Sequence, residues 1–191
     1  MGCKNRVTAN LLFFPPPISY SFEKDTNNIY RMCVNNSENP YLNHVNDATL
    51  KTGIYDINRK EKLAYFHISY PDSDYTLIYS HGNATDLGHM RDILFMLSND
   101  LQCNILAYDY SGYGLSIGKA TSSKIYKNMK SIYKIYLELF ATKYVFFYGQ
   151  SLGTSVSLYW ASKLKEKVDG LIIHSGMTSA LRVLLDDAAN T

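Results

Sequence analysis

Short apolar runs alternate with amphipathic segments along the larger part of the chain. Runs rich in β-branched and aromatic residues predict buried strands at 75–80, 104–110, 144–148 and 170–176. Between them, apolar residues recur every three or four positions and predict core-facing helices, with stripes at Leu87, Met90, Leu94 and Leu97 and at Ile125, Met129, Ile132, Tyr136 and Leu139. This alternation is typical of a mostly parallel sheet with helices on both faces, so the predicted fold class is α/β.

The part of the chain before these strands has a different pattern. Residues 1–24 hold a short apolar run followed by prolines and predict an N-terminal arm. Residues 25–47 are rich in Asn, lack a periodic pattern and predict a surface loop. Segments 50–57 and 62–70 predict a β-hairpin at the sheet edge, so we expect the main domain to occupy residues 48–191.

The composition narrows the classes of function. With 191 residues, 46% of them hydrophobic, the chain suits one folded domain, and a net charge of +2 gives no electrostatic reason to expect a nucleic-acid partner. Cys3, Cys33 and Cys103 are too few and too scattered for a disulfide framework or a zinc site. We therefore expect a reducing compartment, no metal and no cofactor.

The strand predicted at 144–148 leads into a serine motif of the form G-x-S-x-G. Gly149, Ser151 and Gly153 occupy its defined positions, and a helix is predicted directly afterwards. This is the pattern of a nucleophile elbow, in which a tight strand-to-helix turn exposes a serine hydroxyl above a parallel sheet. The flanking glycines are expected to provide the space that such a turn needs. Ser151 is thus the candidate nucleophile.

The order of the elements, with the serine turn after the third strand of the alternating series, is that of an α/β-hydrolase. In that fold, main-chain N–H groups after an earlier strand and after the nucleophile stabilise the oxyanion. Here the candidate donors are Asn83, with Ala84, and Leu152. Gly82 is expected to let the loop backbone come close, and His81 is expected to shape the loop rather than transfer protons.

Several segments together resemble one known family. They are 11–16 (LLFFPP), 75–88 (YTLIYSHGNATDLG), 103–114 (CNILAYDYSGYG), 148–154 (YGQSLGT) and 174–183 (HSGMTSALRV). The chain resembles the membrane-anchored α/β-hydrolase domain 17 group of palmitoyl-protein thioesterases and, more broadly, serine hydrolases with a His-Gly-Asn-Ala loop. The resemblance implies hydrolysis of acyl thioesters or esters, with an S-acylated protein or a lipid ester as substrate. Gly176 stands where the family usually has proline, a change that we expect to be tolerated.

The N-terminus holds candidate lipidation sites. The family carries a cluster of cysteines there, whereas this chain has Cys3 alone. An acyl group on Cys3, supported by Lys4 and Arg6 against anionic lipids, would form a peripheral anchor on the cytosolic face of a membrane. Gly2 is a weaker site, because the N-myristoylation pattern has Ser or Thr where Arg6 stands. The alternative is an unmodified cysteine on a frayed chain end in the cytoplasm.

The rest of the expected catalytic triad is absent from this chain. In the family an acid and then a histidine follow the nucleophile, each after a later strand, but Asp186 and Asp187 come one strand too early and His174 belongs to a strand-end motif. We expect an incomplete hydrolase domain without its C-terminal strands, and doubtful activity in the 191 residues alone. The alternatives are a non-catalytic hydrolase-like binding module, a lysophospholipase and a small-ester hydrolase.

Overall fold

The computed structural model describes residues 12–24, 26, 30–35, 50–164 and 167–176. Its strands are β1 (Tyr20–Lys24), β2 (Tyr30–Val34), β3 (Leu50–Asn58), β4 (Glu61–Ile68), β5 (Tyr75–Ser80), β6 (Asn104–Tyr108), β7 (Tyr144–Gln150) and β8 (Gly170–His174). Its helices are α1 (Leu87–Leu101), α2 (Ser122–Ile135), continued by a π-helical turn (Tyr136–Phe140), and α3 (Leu152–Leu164). None of the described helices combines the length and hydropathy needed to cross a bilayer.

The predicted α/β sheet is confirmed. Six strands lie in the order β3-β4-β6-β5-β7-β8, and β5, β6, β7 and β8 run parallel to one another. The predicted hairpin of β3 and β4 is also present, and it joins the parallel strands through an antiparallel pairing of β4 with β6. Because β5 lies between β6 and β7, the loop after β5 reaches the same sheet edge as the turn after β7.

Helices cover both faces of the sheet, as the apolar stripes predict. On one face Leu87 and Leu94 of α1 are buried, and on the other Ile125 of α2 and Val156 of α3 are buried. Asp86 caps α1 and Thr121 caps α2, each accepting a hydrogen bond from a main-chain N–H of the first turn.

The predicted stripe of α2 is wrong at its end. Leu139 is 61% exposed, and Phe140 packs against the core instead. The cause is the π-helical turn at Tyr136–Phe140, because one extra residue per turn rotates the following side chains by about 100°. A search for apolar residues spaced three and four positions apart does not reveal such a turn.

The predicted loop at 25–47 is wrong for residues 30–34, which form β2. This strand pairs antiparallel with β1, so the end of the predicted arm and the start of the predicted loop form a hairpin. Tyr20 and Met32 are buried in the cluster that also contains Leu87 of α1. The hairpin therefore belongs to the core of the domain. Apolar residues alternate at positions 20 and 22 and at positions 32 and 34, and this pattern could have predicted the two strands.

Candidate active site

Ser151 is the single residue between the end of β7 and the start of α3. Its φ of 49° lies in the left-handed region, which is uncommon for residues other than glycine. Its N–H donates to the carbonyl oxygen of His174 at 2.9 Å, and its own carbonyl accepts from the N–H of Thr154 at 3.0 Å. The residue is partly exposed, and among the described residues no group is hydrogen-bonded to its hydroxyl. The predicted turn is therefore present.

Close backbone contacts explain the two glycines of the motif. A Cβ on Gly149 would lie 2.5 Å from the carbonyl oxygen of Gly153 and 2.6 Å from Cα of Thr154. A Cβ on Gly153 would collide with the carbonyl oxygen of Ser80, at the end of β5. Both contacts are with backbone atoms, which cannot rotate away, so the turn requires glycine at both positions.

The loop of residues 81–86 lies beside Ser151. A Cβ on Gly82 would stand 3.6 Å from Cβ of Ser151, which is an ordinary van der Waals distance. The loop and the serine are neighbours, as expected, and a side-chain Cβ at residue 82 would also fit between them. The main-chain N–H groups of Asn83, Ala84 and Leu152 have no acceptor among the described residues.

The side chain of Asn83 is held on three sides. Its Oδ1 accepts from the N–H of Phe14 at 3.0 Å and from the hydroxyl of Tyr113 at 2.6 Å. Its Nδ2 donates to the carbonyl oxygen of Leu12 at 3.0 Å. These contacts, which the sequence did not reveal, fix the orientation of the carboxamide. Because they involve main-chain groups of Leu12 and Phe14, residue type gives no sign of them.

His81 is fully buried and packs against the ring of Tyr110 at a centroid distance of 4.3 Å. Its Nδ1 lies 2.7 Å from the carbonyl oxygen of Gly82, and since a carbonyl can only accept, Nδ1 carries the proton. Nε2 lies 3.3 Å from Oδ1 of Asp109. The hydrogen bond from Nδ1 and the packing against Tyr110 hold the loop from below, in line with the expected shaping role of His81.

Asp109 is a fully buried carboxylate that the sequence reasoning did not single out. It accepts from the hydroxyl of Tyr20 at 2.6 Å and from the N–H of Leu87 at 3.1 Å. Burial raises the pKa of Asp109, and the contact with His81 opposes that rise. A lone acidic residue directly after a continuous apolar strand was the available signal, because a buried carboxylate needs partners.

Asp86 closes the other end of the loop. It accepts from the N–H of Ser19 at 2.8 Å, from the Ser19 hydroxyl and from the N–H of His89 at 3.1 Å. Burial alone would raise the pKa of Asp86, but the hydrogen bonds from Ser19 and His89 outweigh burial and lower it. The carboxylate thus stays ionised while joining α1 to the N-terminal segment.

The structure places His174 beside the elbow but not against the serine hydroxyl. Its carbonyl holds the N–H of Ser151, and its ring Nδ1 lies 2.9 Å from the hydroxyl of Tyr148. Asp186 and Asp187 lie outside the described residues, as do Gly2 and Cys3. Within the described part of the chain, no imidazole or carboxylate is hydrogen-bonded to Ser151, and no group of three His, Cys, Asp or Glu side chains could hold a metal.

Comparison with known proteins agrees with this arrangement. A family model described as serine aminopeptidase, S33, matches residues 71–185, which include the 81–86 loop and the serine elbow. The chain belongs to this α/β-hydrolase family. The match covers the four parallel strands and the helices between them, so the elements that position Ser151 are those of the family.

Two relatives are similar to nearly the whole of this chain, and the human one carries the group name that the sequence motifs indicated. The chain is 32% identical over 191 residues to α/β-hydrolase domain-containing protein aho-3 of Caenorhabditis elegans, covering 97% of this chain and 55% of the relative. It is 31% identical over 195 aligned positions to human α/β-hydrolase domain-containing protein 17B, covering 99% of this chain and 66% of the relative. The predicted resemblance is confirmed, and the chain spans between half and two thirds of these relatives' length.

A solved structure confirms the fold. An esterase of Pyrococcus furiosus superposes with a TM-score of 0.62 at 22% identity, covering 86% of this chain and 56% of the esterase. At this identity the similarity establishes the α/β-hydrolase fold and says nothing about the substrate of this protein.

Proposed function

We propose that the full-length protein is a serine hydrolase that cleaves acyl thioesters or esters with Ser151 as its nucleophile. The observation that carries the proposal is the left-handed turn at Ser151, between a buried strand and a helix and beside the 81–86 loop. A residue is held at positive φ only where the surrounding structure compensates for the cost, and such sites are commonly functional. Membership of a hydrolase family supports the same role.

In the proposed reaction, Oγ of Ser151 attacks the acyl carbon, and the C–S or C–O bond of the substrate breaks. The serine proton leaves with the thiol or alcohol, and water then hydrolyses the acyl-serine ester, which releases the carboxylic acid and restores the hydroxyl. Negative charge that develops on the carbonyl oxygen would be met by the N–H groups of Leu152 and of Asn83 or Ala84. Such preorganised donors contribute about 3 kcal/mol each to the transition state.

The proposal needs a general base, because an unassisted serine hydroxyl is a weak nucleophile. We place this histidine and its acidic partner in sequence that the 191 residues do not include. The coverage of 66% of the human relative supports this placement. Asp186 and Asp187 are not assigned a role.

The proposed substrate is an S-acylated protein at the cytosolic face of a membrane. Resemblance to the domain 17 group of palmitoyl-protein thioesterases supports this choice, and so does similarity to the human relative of the same group name. Cys3, flanked by Lys4, would provide lipid attachment, with Gly2 as a second candidate. A lysophospholipid or a small ester remains the alternative substrate.

A non-catalytic binding module is the second candidate function. It is favoured by one observation, that no imidazole among the described residues is hydrogen-bonded to Ser151. Such a module would retain the fold and bind an acyl group or a protein partner without turnover.

Labelling of the full-length protein with a fluorophosphonate probe separates these candidates. The enzyme should be labelled, and Ser151→Ala should abolish labelling and lower hydrolysis of an S-palmitoylated peptide at least about a thousandfold. Ser155→Ala is the matched control, because its hydroxyl bonds within α3 to the carbonyl of Leu152 at 2.8 Å. Labelling that persists in Ser151→Ala would refute the assignment. A full-length protein that is folded but unlabelled would support the binding module.

Substrate preference is measured on the same preparation. Faster hydrolysis of the S-palmitoylated peptide than of a lysophospholipid or a short-chain nitrophenyl ester is expected from the proposal. The reverse order of rates would be consistent with a serine hydrolase but would refute the proposal that its substrate is an S-acylated protein.

A further inference from the structure

Residues 12–20, here named the N-terminal strap, contact both ends of the loop that follows β5. At the first end, the main chain of the strap brackets the carboxamide of Asn83. The carbonyl of Leu12 accepts from Nδ2 at 3.0 Å, and the N–H of Phe14 donates to Oδ1 at 3.0 Å. An amide side chain that both donates to and accepts from the same segment is fixed in orientation as well as position.

At the second end, the strap bonds to Asp86 and packs against the first turn of α1. The N–H of Ser19 donates to Asp86 at 2.8 Å, and a Cβ on Gly88 would collide with the Ser19 hydroxyl. The next residue, Tyr20, is 2% exposed and donates its hydroxyl to Asp109 at 2.6 Å. The strap is therefore held by buried groups here, whereas the Asn83 contact is near the surface.

His81 and Asp86 hold the two ends of the 81–86 loop, and Asn83 and Ala84 lie between them. Ala84 adopts a φ of 54°, a conformation that costs an alanine about 1 kcal/mol or more. Within the described residues, the main-chain N–H groups of Asn83 and Ala84 make no hydrogen bond that could stabilise this turn. The contacts of the Asn83 side chain, with the strap and with Tyr113, are therefore the direct restraints on the position of that residue.

We propose that the main chain of the strap at Leu12 and Phe14 positions the oxyanion hole, acting through the side chain of Asn83. The inference rests on the proposed function, since it assigns the Asn83 N–H to the oxyanion. An oxyanion donor is effective only when it is already in place as charge develops, and a displacement of about 1 Å can cost about a hundredfold in rate. Leu12 and Phe14 touch no reacting atom, so both are positioning residues.

The test uses Phe14→Pro in the full-length protein, because proline lacks the N–H that donates to Asn83. The substitution suits the site: Phe14 is 48% exposed and precedes Pro15, which favours an extended backbone at residue 14. Phe14→Ala is the matched variant, since it removes the ring and keeps the N–H. Ester hydrolysis gives kcat and KM, and thermal unfolding reports whether the fold is retained.

We expect Phe14→Pro to lower kcat about tenfold relative to Phe14→Ala, with KM within about twofold and the midpoint of unfolding preserved. A purely structural role would lower the amount of folded protein and leave kcat per folded molecule unchanged. Equal kcat in the two variants would overturn the inference.

If Phe14→Pro fails to fold, Asn83→Leu is compared with Tyr113→Phe. Asn83→Leu removes both strap contacts and the Tyr113 contact and keeps the main-chain N–H, whereas Tyr113→Phe removes the Tyr113 contact alone. A kcat in folded Asn83→Leu no lower than in Tyr113→Phe would overturn the inference, and a lower kcat with unchanged KM would support it. Failure of the proposed function gives a different result, because wild-type protein would then neither react with the fluorophosphonate nor hydrolyse the ester. That result would refute the inference as well as the proposed function.

Discussion

Adding one methyl group at Gly153 should both destabilise the fold and disable Ser151. The new Cβ would lie 2.5 Å from the carbonyl carbon of Ser80 and 2.9 Å from the carbonyl oxygen of His81. Non-bonded carbon atoms normally stay about 3.5–4.0 Å apart, so α3 and β5 must separate by about 1 Å. The atoms that the new Cβ would meet all belong to the backbone, and β5 lies inside the sheet. No side-chain rotation can therefore relieve the clash.

The size of the effect follows from two opposing contributions. Overpacking of this kind costs about 3 kcal/mol at the upper end of its usual range, whereas replacing glycine by alanine in a helix gains about 1 kcal/mol. The net loss of about 2 kcal/mol should lower the midpoint of thermal unfolding by about 4–8 °C for a domain of this size. Displacing Ser151 by about 1 Å from the 81–86 loop should also slow its acylation about a hundredfold.

Gly82→Ala is the matched control, because it makes the same chemical change on the other side of Ser151. There the added Cβ would meet Cβ of Ser151 at 3.6 Å, an ordinary contact, so we expect the unfolding midpoint to change by no more than about 2 °C. The assays are thermal unfolding by circular dichroism and the rate of fluorophosphonate labelling in full-length protein. A Gly153→Ala variant as stable and as reactive as wild type would refute the reasoning, and so would equal destabilisation by Gly82→Ala.

Two further predictions concern pH and lipidation. Burial, and then the charge of Lys51, lower the pKa of His67 from 6.5 to about 4, so between those values the unfolded chain binds a proton that the fold excludes. Stability should therefore fall by about 2 kcal/mol from pH 7 to pH 5. Urea unfolding at both pH values should show a shallower fall in His67→Leu, and an equally steep one would contradict the assignment. If Cys3 is the lipid site, Cys3→Ser should abolish incorporation of a clickable palmitate analogue and move full-length protein out of the membrane fraction; unchanged incorporation would exclude Cys3.

Local features of the sequence were sufficient to predict the elbow and the sheet. The apolar run 144–148 predicts the strand, because a buried strand needs continuous apolar side chains. The glycines at 149 and 153 predict the turn, because a tight turn needs residues without a side chain. The hairpin of β3 and β4 and the caps at Asp86 and Thr121 are local for the same reason. The predicted burial of Leu139 failed, because the π-helical turn at Tyr136–Phe140 changes the spacing of the core-facing residues.

Contacts between distant parts of the chain were decided by the tertiary structure alone. The sequence by itself determined that Ser151 stands in a strand-to-helix turn of an α/β-hydrolase. Only the folded chain decided that the carboxamide of Asn83 is bracketed by the main chain at Leu12 and Phe14, and that Asp109 is buried against Tyr20. Main-chain groups are the same in every residue, and the partner of a buried carboxylate depends on which strands and helices pack together. Neither kind of contact leaves a pattern in the residue types, so both kinds are seen only in the folded structure.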